Sequence, residues 1–269
     1  MFYFLNLVSD EIGEYFIVRM TSVFWTPVLF GFLMSCSILY FWYKSFKINS
    51  KIDYIFLTIL FVALFLSVSR GALIASVLGI LLLAILAKNW LSFLKLVLLK
   101  IVVFIVVSFY VSNPKDFAYW LFNSSKQTVS LTEGVTRVEL WKQAFVTAKE
   151  NPFGLGLGKA GHVAERFFTL KTKNVSVTST DGWFLKLLNE TGFIGLIFYL
   201  GFSAYIFIEW LKYIRRNSFN LVFYLGIIFI IANITNLVSN VLDFYLFAYL
   251  YWLLLGVLVY NIKTKKIHA

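Results

Sequence analysis

Between Asp53 and Lys88 the chain runs for thirty-four residues with one charged side chain, Arg70. As a helix that run would be ~50 Å long, too much for one crossing of a hydrocarbon core ~30 Å thick. The chain therefore has to turn back near the middle, and Ser69-Arg70-Gly71-Ala72 is where it turns. A guanidinium at the tip of a membrane hairpin is costly unless it has a partner, which makes Arg70 a functional candidate.

The surrounding composition fits the same reading. The chain is 60 % hydrophobic and only 14 % charged, which excludes an ordinary soluble domain and indicates an all-α polytopic membrane protein. Seven spans are expected, at about 23–43, 52–69, 71–87, 91–112, 193–211, 219–238 and 241–261. The excess of 24 Lys+Arg over 13 Asp+Glu does not point to nucleic acid, because the basic residues cluster in short loops between apolar spans. Those clusters are Lys44, Lys47 and Lys51, then Lys88, then Lys212, Arg215 and Arg216, then Lys263, Lys265 and Lys266. All four fall on one side of the alternating spans, the cytoplasmic side by the positive-inside rule. The opposite face receives residues 1–22, the Arg70 turn, the long segment 113–192 and the turn at 239–240. Lys95 and Lys100, placed in the inner half of the fourth span, are read as snorkelling or facing the bundle.

Three parts follow from this: an N-terminal membrane part over 1–112, an extracytoplasmic loop over 113–192, and a C-terminal membrane part with a basic tail over 193–269. Within the loop, Glu139 to Lys149 reads as an amphipathic helix with Leu140, Trp141, Ala144, Phe145 and Ala148 on one face, ended by Asn151-Pro152-Phe153-Gly154. A second helix, from Gly182 to Glu190, runs into the fifth span. A lone cysteine, Cys36, and two histidines, His162 and His268, leave no basis for a disulfide or a histidine-rich metal centre.

Several residues could carry chemistry. Arg19, Arg70 and Arg137 all fall on the outward side, and together would suit a pyrophosphate, which guanidinium groups bind in bidentate fashion. Anchoring on lipid headgroups explains a single arginine as well, Arg19 most readily and Arg70, set among serines and glycine, least. Asp181 follows Thr178-Ser179-Thr180 and opens a helix, as an N-cap, as a base for a sugar hydroxyl, or as both. Glu190, Trp141 and His162 are further candidates for holding an acceptor. Gly154-Leu155-Gly156-Leu157-Gly158 lacks the strand and the Lys-Ser/Thr of a nucleotide loop, and reads as a turn permitting close backbone approach. Asn233, Asn236 and Asn240 share a helical face whose first reading is packing against neighbouring helices.

In order and spacing, these residues resemble a known family. Ser69-Arg70-Gly71-Ala72, Arg137-x-x-x-Trp141, Asn151-Pro152-Phe153-Gly154 with the glycines after it, and the segment Asp181-Gly182-Trp183 through Glu190-Thr191-Gly192 are similar to motifs of the O-antigen ligase and Wzy-type polysaccharide polymerase superfamily. Arg19-Met20-Thr21-Ser22 resembles the arginine motif that precedes a span in that family. Ligases of the family have a histidine where this chain has Asp181, which inclines the resemblance toward the polymerases. Family members usually carry further membrane helices ahead of the Arg19 motif, so the resemblance implies an N-terminally short chain, and an inactive fragment is one reading.

The resemblance implies a polymerase of the cytoplasmic membrane, acting at its outer face without cofactor or metal. Glycan would pass from an undecaprenyl-pyrophosphate-linked donor to a lipid-linked acceptor, with inversion. Arg19, Arg70 and Arg137 would bind the pyrophosphate, and Asp181 would activate the acceptor. A ligase acting on a lipid, protein or wall acceptor, or a lipid-pyrophosphate carrier or flippase, are the alternatives. A chain-length regulator or a separate flippase are the expected protein partners.

Overall fold

The computed structural model describes residues 7–12, 15–20, 26–45, 51–111, 137–161 and 182–267. The chain is an all-α multi-pass membrane protein, preceded by a short antiparallel hairpin that the sequence reading did not anticipate. Strand β1 (Leu7–Ile12) pairs with β2 (Tyr15–Met20), and Val8 lies opposite Arg19. Four helices follow: α1 (Pro27–Ser45), α2 (Lys51–Leu66), α3 (Arg70–Ala87) and α4 (Trp90–Val111). Next come α5 (Arg137–Glu150), α6 (Trp183–Arg216), α7 (Leu221–Val238), a 3-10 turn at Val241–Asp243, and α8 (Tyr245–Ile267).

Five of these helices, α1, α3, α4, α6 and α8, are long and apolar enough to cross a membrane. The other two expected spans correspond to the apolar but shorter helices α2 and α7. The last span starts at Tyr245, four residues later than the sequence suggests, because the 3-10 turn takes up residues 241–243. In α4 and α6, side chains such as Leu91, Phe109 and Phe198 are more than 70 % exposed, as expected where acyl chains are the solvent.

The chain forms two compact units. The first comprises residues 1–124 with 219–231, and is built around α1. Ile38, Leu39 and Trp42 of α1 are buried, and α2 and α3 pack against that helix. Small residues allow the close approach: a Cβ on Gly79 of α3 would lie 2.6 Å from a Leu39 methyl, and one on Gly31 of α1 would lie 2.9 Å from Ala72. Lys44 closes the other end of the α1–α2 pair with a 3.0 Å ion pair to the buried Asp53. Lys88, in the left-handed conformation at φ 53°, and Asn89, whose Oδ1 accepts the Ser92 N–H at 3.1 Å, make the tight turn between α3 and α4.

The second unit comprises residues 125–218 with 232–269. Here α5 packs on α6 through Leu140, Ala144 and Ala148, a buried stripe at i, i+4 and i+8. Phe145, expected on that face, is half exposed instead. Helix α6 breaks at Gly192, whose φ of 70° and ψ of −170° divide it into an arm, 183–191, and a spanning portion, 193–216. The latter would be ~36 Å long, sufficient for the bilayer.

Candidate functional site

In the first unit the tip of the α2–α3 hairpin is a strained and tightly held turn. Val68 is fully buried with φ at 45°, a conformation that a β-branched residue rarely adopts. Its surroundings hold it there. Ser67 Oγ donates to Leu64 O at 2.6 Å and accepts the Ser69 N–H at 3.3 Å, while Ser35 Oγ of α1 donates to Ala72 O at 2.9 Å. A side chain at Gly31 would meet Ser67 Oγ at 2.7 Å, so α1 abuts the turn directly. Arg70 is thereby fixed as the first residue of α3, where Ser69 provides no side-chain cap. A guanidinium at the positive end of a helix reinforces the dipole's attraction for anions.

Arg19 lies in β2, which packs against α1 and α2, the helices that buttress the Arg70 turn. Lys100, set aside in the sequence as a bundle-facing or snorkelling residue, lies midway along the 22-residue α4. Its ammonium reaches across to α3, donating to Ser76 Oγ at 2.9 Å and to Leu73 O at 3.4 Å. A lysine near the middle of a membrane helix costs about 2.5–3.5 kcal/mol on insertion scales, so its retention calls for a reason.

In the second unit the glycine loop wraps the end of the α6 arm. Leu155 N–H donates to Asn189 O at 2.8 Å, Gly156 N–H to Glu190 O at 3.0 Å, and Phe193 N–H to Pro152 O at 3.1 Å. These bonds use two carbonyls and one N–H that the helix break would otherwise orphan. Gly154, at φ 89°, is required here: a Cβ would lie 2.6 Å from the Gly192 nitrogen. Gly154 thus makes the close approach that the sequence suggests, while a Cβ at Gly156 or Gly158 would meet nothing within 4 Å.

Glu190 belongs to this loop contact. Its Oε1 accepts the Gly158 N–H at 2.9 Å and the Ala160 N–H at 3.4 Å, with Lys186 Nζ 3.9 Å away. Lys186 in turn pairs with Asp243 of the 3-10 turn. Gly161 covers the pair so closely that a Cβ would come within 3.1 Å of Asp243 Oδ2. Glu190 precedes the break, outside the spanning portion. Burial pushes its carboxyl above the usual carboxylate range, against the opposing pull of Lys186 and the two N–H groups.

Asn236 Oδ1 accepts the Leu242 N–H at 3.2 Å, and Asn240 Oδ1 accepts the Gly182 N–H at 2.9 Å. Asn233 bonds the hydroxyls of Tyr199 and Tyr251 at 2.9 and 3.1 Å. The asparagine stripe therefore serves packing, tying α7 to α6, α8 and the 3-10 turn. Asn189, 1 % exposed, has no bond to either side-chain amide atom among the described residues, and Asp243 Oδ2 likewise has none.

Asp181 and His162 lie outside the described residues, but their chain neighbours do not. Gly161 rests on Lys186 and Asp243, and Gly182 on Leu237 O and Asn240. Gly161 and Gly182 therefore both lie beside the 3-10 turn. Arg137 opens α5, and Trp141 lies half-buried one turn on. Of the expected site residues, Arg19 and Arg70 belong to the first unit, and Arg137, Trp141 and Glu190 to the second. The Lys186–Asp243 pair and Lys100 were not singled out as site residues from sequence. Pairing across 57 residues leaves no local pattern to read.

No curated protein matches the chain. The O-antigen ligase family profile matches residues 55–200, more than half the chain, which therefore belongs to that family of membrane enzymes of the ligase and polymerase type.

Proposed function

We propose that the chain is a polysaccharide repeat-unit polymerase of the cytoplasmic membrane. On this reading it moves glycan from an undecaprenyl-pyrophosphate donor to a second lipid-linked unit at the outer face. The observation that carries the reading is the Arg70 turn. Strain at Val68, the serine bonds and the close packing of α1 hold a guanidinium at the positive end of a membrane helix. Such preorganisation is what a developing anion needs, since no reorganisation remains to be done in the transition state.

In the proposed reaction the acceptor hydroxyl oxygen attacks the anomeric carbon from the face opposite the pyrophosphate. The carbon–oxygen bond to the phosphate breaks, and the lipid pyrophosphate leaves with the electron pair. Arg70 and Arg137, with Arg19, take up the added charge. Asp181 accepts the hydroxyl proton. The anchoring of Gly182 on Asn240 supports that role, because it fixes the backbone next to Asp181. An aspartate at 181, where ligases of the family have a histidine, favours polymerase over ligase.

Replacement tests the reading in cells that supply the lipid-linked repeat unit. Arg70→Gln, Arg137→Gln and Asp181→Asn are each expected to abolish long glycan chains while single units still reach the outer leaflet. Retention of full chain length in Arg70→Gln would refute the pyrophosphate role. Loss of transfer to a non-repeat acceptor with chain length intact would instead mark a ligase, and accumulation of units on the inner leaflet a flippase.

A further inference from the structure

Arg70 heads an oblique row of α3 residues that a second cation meets farther along the helix. Arg70, Leu73 and Ser76 follow one another at i, i+3 and i+6 along α3. The Lys100 ammonium meets that row at Leu73 O and Ser76 Oγ, and Ser76 Oγ itself donates to Leu73 O at 2.7 Å. These two bonds use two of the three ammonium donors, leaving one for a further acceptor. No carboxylate pairs with Lys100 among the described residues, whereas Lys44 of the same unit pairs with the buried Asp53.

The position along the helix is informative. Ser76 is six residues beyond Arg70, or ~9 Å further along α3. Neighbours of Lys100 on α4, Leu98, Ile101 and Val102, are about half exposed or more, so the groove between α3 and α4 adjoins the lipid. A polyprenyl diphosphate presents its groups in a matching order: tail deepest, then the lipid-proximal phosphate, then the distal phosphate and its sugar at the surface.

We infer that Lys100 holds the lipid-proximal phosphate of the carrier while Arg70 holds the distal one, so that the pair selects a diphosphate over a monophosphate. This rests on the proposed pyrophosphate site at Arg70 and extends it with a residue for carrier specificity. The lysine neutralises part of the charge on the diphosphate, both phosphates of which stay on the lipid when the glycan leaves, and it receives the headgroup from the bilayer side.

The test uses the full chain in nanodiscs, titrated with farnesyl diphosphate and farnesyl monophosphate. The wild type should prefer the diphosphate by about tenfold or more, the value of one charge-assisted contact. Arg70→Gln removes the contact to the distal phosphate and should shrink the preference to about threefold or less. Lys100→Gln keeps donors for Ser76 and Leu73 but loses the charge on the phosphate that both ligands carry, and should weaken both by about tenfold. Lys100→Arg should restore both affinities. A role confined to tying α3 to α4 would leave both affinities unchanged in Lys100→Gln, and that result overturns the inference. If Arg70→Gln loses the preference while Lys100→Gln binds both ligands as the wild type does, only the lysine assignment falls. A wild type that binds neither probe overturns both readings.

Discussion

At the scale of single residues, Glu190 shows how burial separates a charge from its hydrogen bonds. Among the described residues its cluster contains two carboxylates, Glu190 and Asp243, and one ammonium, Lys186. What the loop requires of Glu190 is an acceptor for the Gly158 and Ala160 N–H groups, and a neutral amide oxygen serves that purpose. Burial already works against the charged form, and removing that charge leaves Lys186 and Asp243 as a matched pair. Glu190→Gln should therefore change stability by less than about 1 kcal/mol, whereas Glu190→Ala, which strands both N–H groups, should cost about 2–3 kcal/mol. Thermal unfolding of the detergent-solubilised protein measures both. Equal losses in the two variants would show that the charge, and not the acceptor, holds the loop.

At the scale of elements, the asparagines of α7 tie it to its neighbours. Asn233 joins Tyr199 of α6 and Tyr251 of α8, whose hydroxyls also lie 3.0 Å apart. Polar contacts between membrane helices contribute roughly 0.6–1.7 kcal/mol, so Asn233→Leu should lower stability by about that amount. The same unfolding measurement checks it, and an unchanged or raised melting temperature would mean that apolar packing suffices. That stripe was legible in the sequence because three asparagines at helical spacing stand out in an apolar run. The hairpin tip at Arg70 and the break at Gly192 were legible for the same reason, as polar or glycine interruptions of long apolar stretches. The β1–β2 hairpin was passed over, although Gly13 between two short runs rich in Val, Ile and Phe was a usable signal. The positive φ of Val68 left no trace in the sequence, since it belongs to a turn whose flanking Ser67 and Ser69 are abutted by α1 at Gly31. Lys100 was visible but undervalued, because only the structure shows which neighbour its ammonium meets.

At the scale of the whole molecule, the proposed chemistry depends on which side of the membrane the loop faces. A glycosyl donor outside the cell has to bring its own leaving group, so a lipid pyrophosphate is an apt donor only if the loop is extracytoplasmic. The basic clusters at 44–51, 88–90, 212–218 and 262–269 are expected on one face from the sequence, an orientation in which Lys88 would face the cytoplasm and the glycine loop would face outward. Two exposed positions test it: Lys88 at the α3–α4 turn, and Leu157, 81 % exposed in the glycine loop. In a Cys36→Ala background, Leu157→Cys should react with a membrane-impermeant maleimide in intact cells. Lys88→Cys should react only after the membrane is opened. The reverse pattern would place Arg70 and the loop in the cytoplasm, where nucleotide sugars are at hand, and would remove the reason for a pyrophosphate-lipid donor. Labelling of both in intact cells would break the alternation of spans and with it the assignment of α2 and α3 as a hairpin crossing twice.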